Sequence, residues 1–329
     1  MKVAEVENDI LVVKEREDEK LDGRKGAIVK VLGCGLCGSD IVKLKQHLSK
    51  NGTVLGHEIV ASIIEINSDT EFKQGDIIVT SHHIPCGKCE YCKNGNVSMC
   101  RHFKETNIKP GGFSEYVFVS EEHLKNVAYL KPKNLSNAEA AFYEPLGCCI
   151  RAVKRASLRQ NSTVLVIGLG SIGILMAQAL KAFGMNVIGC DLIATRVKLL
   201  QNLGIEAFNV LDMCESINAD GVFMTSGSDK AIDTALKYVR DGGKILVFSS
   251  TPKNFGYANN EIYYRELTVL GSYSPSPADL KDSLRLLADK EVKVNGLSTE
   301  YQLEQVQKAI NDTVDNKIMK AYINIGALF

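Results

Sequence analysis

Four cysteines fall within the stretch "CGKCEYCKNGNVSMC": Cys86, Cys89, Cys92 and Cys100, spaced C-x2-C-x2-C-x7-C. Thiolates this close in sequence can converge on one ion, and four of them make a closed tetrahedral zinc site. Gly87 and Gly95 relax the backbone for the tight turns this needs. An iron–sulfur cluster is the rival reading, because four cysteines also hold one. A nucleic-acid zinc module is a weaker third. A second set of donors lies elsewhere: Cys37, Ser39 and Asp40 in "GLCGSD", His57 and Glu58 in "LGHE", and Glu144 in "YEPLG". Thiolate, imidazole and carboxylate are all zinc ligands, and fewer than four from the protein leave a position open for substrate. Taken singly, His57 also fits a core histidine, Glu58 a surface charge and Glu144 a carboxylate at a helix start.

A third chemical signal is "GLGSIG", residues Gly168, Leu169, Gly170, Ser171, Ile172 and Gly173. It follows the apolar run "TVLVI" and opens a helical pattern, the context that a dinucleotide-binding turn requires. The first glycine permits the tight turn, the second lets a pyrophosphate approach, and the third lets helix and strand pack closely. The helix N-terminus offers N–H groups and partial positive charge to phosphates. Asp191 ends the next strand pattern, 18 positions after Gly173 (173 to 191). A carboxylate there accepts from ribose hydroxyls and repels a 2′-phosphate, which favours NAD over NADP; Arg196 close by works the other way. Thr225 and Ser226 in "TSG", and Gly271 and Ser272 in "GSY", follow strand patterns and are candidate cofactor contacts, or ordinary turns at strand ends.

The elements that must position these groups change character along the chain. The first part is β-rich, with "GAIVKVLG", "EIVASIIEI", "IIVTS" and "GGFSEYVFV" as short β-branched or aromatic runs. "NAEAAFYEPLGCCIRAVKRA" predicts one helix capped at Asn137, with Pro145 at a kink or break. From residue 163, strands and helices alternate: "TVLVI", "NVIGC", "EAFNV", "GVFMT", "KILVF" and "LTVLG" separated in part by "SIGILMAQALKAFG", "TRVKLLQNLG" and "DKAIDTALKYVRDGG". That alternation predicts a doubly wound parallel sheet, so the fold class is α/β with a β-rich first part. After the helix pattern "DLKDSLRLLADKE", the run "KIMKAYINI" reads as a strand that could rejoin the first part.

The 329 residues suffice for two domains. Composition is that of a soluble globular chain, with 45% hydrophobic and 24% charged residues. Thirty-nine basic residues balance 39 acidic ones, which leaves no electrostatic footprint for nucleic acid. The mixed-sign run Lys14 to Lys20 reads as a solvated turn. The segment "MKVAEVENDILVVKERE" lacks the apolar core of a signal peptide, and no apolar run is long enough for a membrane span. We therefore expect a cytoplasmic protein whose ten cysteines are thiols or metal ligands rather than disulfides.

Taken in order, "GLCGSD", "GHE", the four-cysteine stretch, "GGFSEYV", "EPLG" and "GLGSIG" resemble the zinc-dependent medium-chain dehydrogenases/reductases, the alcohol dehydrogenase superfamily, over nearly the whole chain. Glu144 in "EPLG", where alcohol dehydrogenases of the two-cysteine type carry a ligand cysteine, makes the polyol (sorbitol-like) and threonine dehydrogenase branch the most similar. The resemblance implies a GroES-like catalytic domain over 1–149 and 280–329, with a structural zinc lobe at about 82–103, and a Rossmann NAD-binding domain over 150–279. It implies a catalytic zinc held by Cys37 and His57 with Glu58, Glu144 or both, the two exchanging as water and substrate come and go. It implies a structural zinc on Cys86, Cys89, Cys92 and Cys100. Ser39 then falls where a hydroxyl meets the substrate oxygen, Asp40 where a carboxylate orients the zinc histidine, and His83 where a histidine lines the threonine dehydrogenase pocket. Val42 stands in place of the family's relay histidine, and Cys34, Cys148 and Cys149 lie outside the ligand motifs. The implied reaction is hydride transfer between a secondary alcohol and NAD, with a polyol or sugar alcohol as the expected substrate. Oxidation of an amino alcohol such as threonine, or zinc and NAD binding without turnover, are the alternatives. A homodimer or homotetramer is expected, with no nucleic-acid or membrane partner.

Overall fold

A computed structural model describes residues 1–213, 216–249 and 259–326. The chain forms two compact units. The first comprises Met1–Glu144, Ser276–Ala288 and the chain from Val294 onward; the second comprises Pro145–Pro275 and Asp289–Lys293. In this division the chain passes between units at 144/145 and 275/276, and five residues after Ala288 return to the second unit. The helix Tyr143–Ala156 begins in one unit and runs into the other, so neither its start nor its end marks the break.

In the first unit the organising strand is Gly26–Gly35. Along one edge it pairs antiparallel with Glu58–Asn67 over its full length. Its first half also pairs with Tyr116–Ser120 and its last three residues with Ala321–Asn324. Two register shifts, at Ile28/Val29 and Val31/Gly33, let one strand serve these partners. The sheet continues from Glu58–Asn67 to Ile77–Thr80 and Ala128–Leu130, and from Ala321–Asn324 to Thr299–Gln302. "KIMKAYINI" thus rejoins the first unit as its strand Ala321–Asn324. Val29, Val31, Ile59, Ile63, Ile78, Phe113 and Ile323 fill its core.

A hairpin that the sequence pattern does not announce precedes this sheet. Lys2–Glu7 pairs with Ile10–Glu15, and Asn8 and Asp9 at the turn have φ of 49° and 64°. Two left-handed residues match the right-handed strand twist, and Asn and Asp tolerate that conformation. Lys14 lies inside this hairpin, with Nζ 2.9 Å from Glu7 and 3.1 Å from Glu5, so the mixed-charge run is in part a paired strand. The segment 137–156 also differs from expectation. Ser136, not Asn137, caps a short helix Asn137–Ala140 in a capping box with Glu139, and a second helix follows from Tyr143. Pro145 is the third residue of that second helix, where backbone N–H groups have no intrahelical acceptor, so it breaks nothing.

The second unit is a six-stranded, wholly parallel sheet in the order Glu206–Asn209, Asn186–Asp191, Thr163–Ile167, Ala219–Met224, Val239–Val247, Thr268–Gly271. Helices Ser171–Ala182, Ala194–Asn202 and Asp229–Tyr238 connect its strands. Strands buried on both faces require continuous apolar runs, and Val164 to Ile167 are all buried. The glycine motif sits between Thr163–Ile167 and the helix Ser171–Ala182, where strand order reverses and nucleotides bind in such sheets.

Candidate active site

Cys37 ends the turn after Gly26–Gly35 and caps the helix Gly38–Lys45. Its Sγ accepts from Ser39 N at 3.5 Å, while Asp40 Oδ2 accepts from Cys37 N at 3.2 Å. One capping arrangement thus fixes three predicted site residues: the thiolate, an exposed Ser39 and a fully buried Asp40. His57 directly precedes the strand Glu58–Asn67 and is buried. Its Nδ1 lies 3.5 Å from Asp40 Oδ1, a charge contact longer than a hydrogen bond. Burial opposes protonation of His57, but Asp40 and Cys37 outweigh it and hold the imidazole pKa well above its ordinary value. The same pairing holds Asp40 below the usual carboxylate range against the cost of burial.

Glu58 stands opposite Gly35 in the antiparallel ladder. A Cβ on Gly35 would lie 1.9 Å from Glu58 Oε2, so the glycine makes the space the carboxylate occupies. Lys320 Nζ lies 2.6 Å from the same oxygen and donates to Leu36 O at 3.0 Å. Neither Glu58 oxygen has a well-aligned hydrogen-bond donor, so the Lys320 contact is one of charge. Burial lowers the Lys320 pKa, but Glu58 and Cys37 raise it by more. Sequence reasoning misses Lys320, because a lone lysine 262 positions from Glu58 (58 to 320) carries no local signal. Glu144 is buried in the first turn of its helix.

Donor atoms converge in three groups, each lying within 4.8 Å of one another. Cys37, His57 and Glu58 make the first; His57, His82 and Glu144 the second; Cys86, Cys89, Cys92 and Cys100 the third. Asp40 Oδ1, both Glu58 oxygens and His82 Nδ1 are buried without a hydrogen-bond partner. Orphaned acceptors facing a thiolate and imidazoles are what a missing cation would satisfy. The first two groups share His57, and their donor types are those zinc takes.

No disulfide joins the four cysteines. Their sulfurs lie within 4.8 Å of one another, and Cys89 Sγ and Cys92 Sγ 3.6 Å apart, near the roughly 3.8 Å between sulfurs on a tetrahedral zinc with Zn–S of about 2.3 Å. Gly87 and Gly95 have φ of 71° and 75°, the left-handed turns that bring the sulfurs together. Cys86 N donates to Cys100 Sγ and Cys89 N to Cys86 Sγ, both at 3.4 Å. Burial raises the Cys100 pKa, yet backbone N–H groups of Cys86 and Phe103 bring it down to about 6.

His83 is half-buried beside this lobe. Its Nδ1 meets Thr106 O at 2.5 Å, and its ring stacks on Phe103. His82, which no sequence motif singles out, faces the donor set more directly: its ring centroid is 4.4 Å from that of His57.

In the second unit, Gly168 has φ +91°, which only glycine adopts freely. A Cβ on Gly173 would lie 1.8 Å from Gly168 O, whereas one on Gly170 would meet nothing within 4 Å. Third and second glycines thus differ as the motif predicts: one lets helix and strand close up, and the other leaves open space at the turn. Ser171 and Ile172 open the helix there. Asp191 is buried and accepts from Leu169 N at 2.6 Å and Ile193 N at 2.8 Å, with Arg196 3.6 Å away. It therefore braces the glycine turn from below. Thr225 Oγ1 donates to Gly168 O at 2.6 Å, and Ser226 packs against Gly168. Gly271 O accepts from Arg155, and Ser272 Oγ is buried without a partner.

A β-rich unit with a mixed thiolate, imidazole and carboxylate donor set, in one chain with a parallel nucleotide-binding sheet, defines a zinc-dependent dehydrogenase. Residues 23–129 match the alcohol dehydrogenase GroES-like domain and residues 171–289 the zinc-binding dehydrogenase domain. Sorbitol dehydrogenase of Halalkalibacterium halodurans is 31% identical over 94% of each chain, and D-arabitol-phosphate dehydrogenase of Enterococcus avium is 29% identical over 95% of this chain and 92% of its own. The solved galactitol-1-phosphate dehydrogenase of Escherichia coli shares the fold, with a TM-score of 0.85 at 23% identity over 98% of this chain and all of its own. The chain belongs to the zinc-binding medium-chain dehydrogenase family, and is an oxidoreductase that works on a small molecule with zinc and a nicotinamide dinucleotide. Among the described residues, no helix is long and apolar enough to cross a membrane.

Proposed function

We propose that the protein oxidises a secondary alcohol group of a polyol or sugar alcohol, with NAD as hydride acceptor. The observation that carries this is the donor set itself: one thiolate, one imidazole and two buried carboxylates, Glu58 and Glu144. That set is harder and more anionic than one with two cysteines, and suits oxygen-rich ligands with a neighbouring hydroxyl. Relatives named for sorbitol and arabitol phosphate support the same class.

Zinc bound at Cys37, His57 and the carboxylates supplies Lewis acidity that lowers the pKa of an alcohol. Asp40 holds His57 in orientation through Nδ1 and leaves its other nitrogen for the metal. Exposed Ser39, on the first turn after Cys37, accepts the substrate hydroxyl proton and passes it on. Lys320 keeps the Glu58 charge balanced while the site is rearranged. Gly168, Gly170 and Gly173 seat the pyrophosphate at the helix N-terminus, and Asp191 selects NAD by repelling a 2′-phosphate. The four-cysteine site has no open position, so its zinc braces the lobe. The same reading makes the protein a cytoplasmic homodimer or homotetramer.

The test follows NADH formation with polyols, threonine and simple alcohols in parallel, and repeats the best substrate with NADP. Turnover is expected with polyols and NAD. A response to simple alcohols alone sinks the polyol reading, and a preference for NADP sinks the role given to Asp191.

A further inference from the structure

His82 belongs to no ligand motif of the chain, yet the fold delivers it to the metal donors. It follows the strand Ile77–Thr80, whose pairing with Glu58–Asn67 brings the strand end level with His57. One of its ring nitrogens lies within 4.8 Å of a His57 nitrogen and a Glu144 oxygen. Its Nδ1 is buried with no hydrogen-bond partner, an arrangement that is costly unless another group completes it. The backbone is held independently of the ring: buried His123 meets His82 O through Nε2 at 3.0 Å, and is itself fixed by Ser120 at 2.7 Å. On the other side, Ile84 N donates to Thr106 Oγ1. His82 is thus a side chain presented to the donor set by a braced backbone, with its Nδ1 unpartnered.

Glu58 is already engaged by Lys320. Donors on one tetrahedral zinc sit roughly 3.3–3.5 Å apart for nitrogen and oxygen ligands; His57, His82 and Glu144 already lie within 4.8 Å of one another, and Cys37 joins them through His57. We propose that His82 is a fourth protein ligand of the catalytic metal, completing the set Cys37, His57 and Glu144 while Glu58 stays on Lys320. The substrate hydroxyl then enters by displacing the His82 imidazole. This rests on the proposed catalytic zinc at Cys37 and His57, with Glu144 rather than Glu58 as its carboxylate.

The experiment compares full-length wild type, His82→Gln and Cys37→Ser by zinc content, metal affinity in chelator competition, and the visible spectrum after cobalt replaces the ion at the Cys37 site. Wild type is expected to hold two zinc ions and Cys37→Ser one. His82→Gln should keep the thermal midpoint of the zinc-depleted protein and the four-cysteine zinc, shift the cobalt bands, and weaken the Cys37-site ion about 10- to 100-fold, the range seen when groups supporting a metal are removed. Adding a polyol should change the wild-type cobalt spectrum more than that of His82→Gln. A folded His82→Gln protein with unchanged spectrum and affinity overturns the proposal, even if its KM for substrate rises. Two zinc ions retained by Cys37→Ser overturn the site assignment instead.

Discussion

At the scale of single residues, the site is an exercise in balancing buried charge. Glu58 is 2% exposed, and an ionised carboxylate at that depth is tolerable only with a counter-charge. Lys320 and the metal compete to supply it. Removing one partner of a buried pair leaves the other uncompensated, at a cost of about 3–5 kcal/mol, whereas replacing both costs far less. In zinc-depleted protein, where no cation can take the lysine's place, Lys320→Met should therefore lower the unfolding free energy by about that much. The double variant Lys320→Met/Glu58→Gln should recover most of it, as read from urea titrations in a double-mutant cycle. With zinc restored the single variant should lose less, because the freed Glu58 can turn to the metal. Equal losses in the single and double variants would mean that the 2.6 Å contact carries no coupling energy.

At the scale of elements, the glycine turn separates folding from binding. Gly173 touches Gly168 O so closely that any side chain must push the helix Ser171–Ala182 off its strand. Gly170 faces open space in the protein alone. Gly173→Ala should thus lower the thermal midpoint, with an overpacking cost of about 1–3 kcal/mol, and weaken NAD binding as well. Gly170→Ala should keep the midpoint and weaken only NAD binding, measured by nucleotide fluorescence titration. Equal midpoints for the two variants would remove the distinction. This contrast is legible in the amino-acid sequence, because the glycine spacing states a local backbone requirement. So are the buried parallel strands, whose apolar runs need no partner to be recognised, and the cysteine lobe, whose ligands lie close together along the chain. Other features depend on pairing between distant segments. His82 reaches His57 only because two strands align, and Lys320 reaches Glu58 only because Ala321–Asn324 returns to Gly26–Gly35. The hairpin Lys2–Glu15 is obscured by its own charges, although its Asn8–Asp9 turn is a usable signal.

At the scale of the whole molecule, the two units draw on different ligands for stability. The first is assembled from three separated stretches of chain and carries both candidate zinc sites. Its donors come from strand ends, a helix cap and a loop lobe, so metal binding ties together segments that are far apart in sequence. The second is built around the glycine turn and has its own core of Leu165, Ile167, Val222, Ile232 and Ile245. A chain of two such units need not unfold as one cooperative block. Calorimetry on the zinc-loaded protein, the chelated protein and the protein with NAD should expose this. Chelation should lower the transition of the first unit and leave the second near its place. NAD at about 100 times its Kd should add about 2.7 kcal/mol to the second, because a ligand that binds only the folded form stabilises it by mass action. In Gly170→Ala that NAD shift should shrink while the chelation shift persists. Cys92→Ser should reproduce the chelation shift in part without touching the NAD shift, since it removes a ligand of the closed site alone. A single transition that moves equally with zinc and NAD would mean that the units unfold together, with the free energy of each ligand spread over the whole chain.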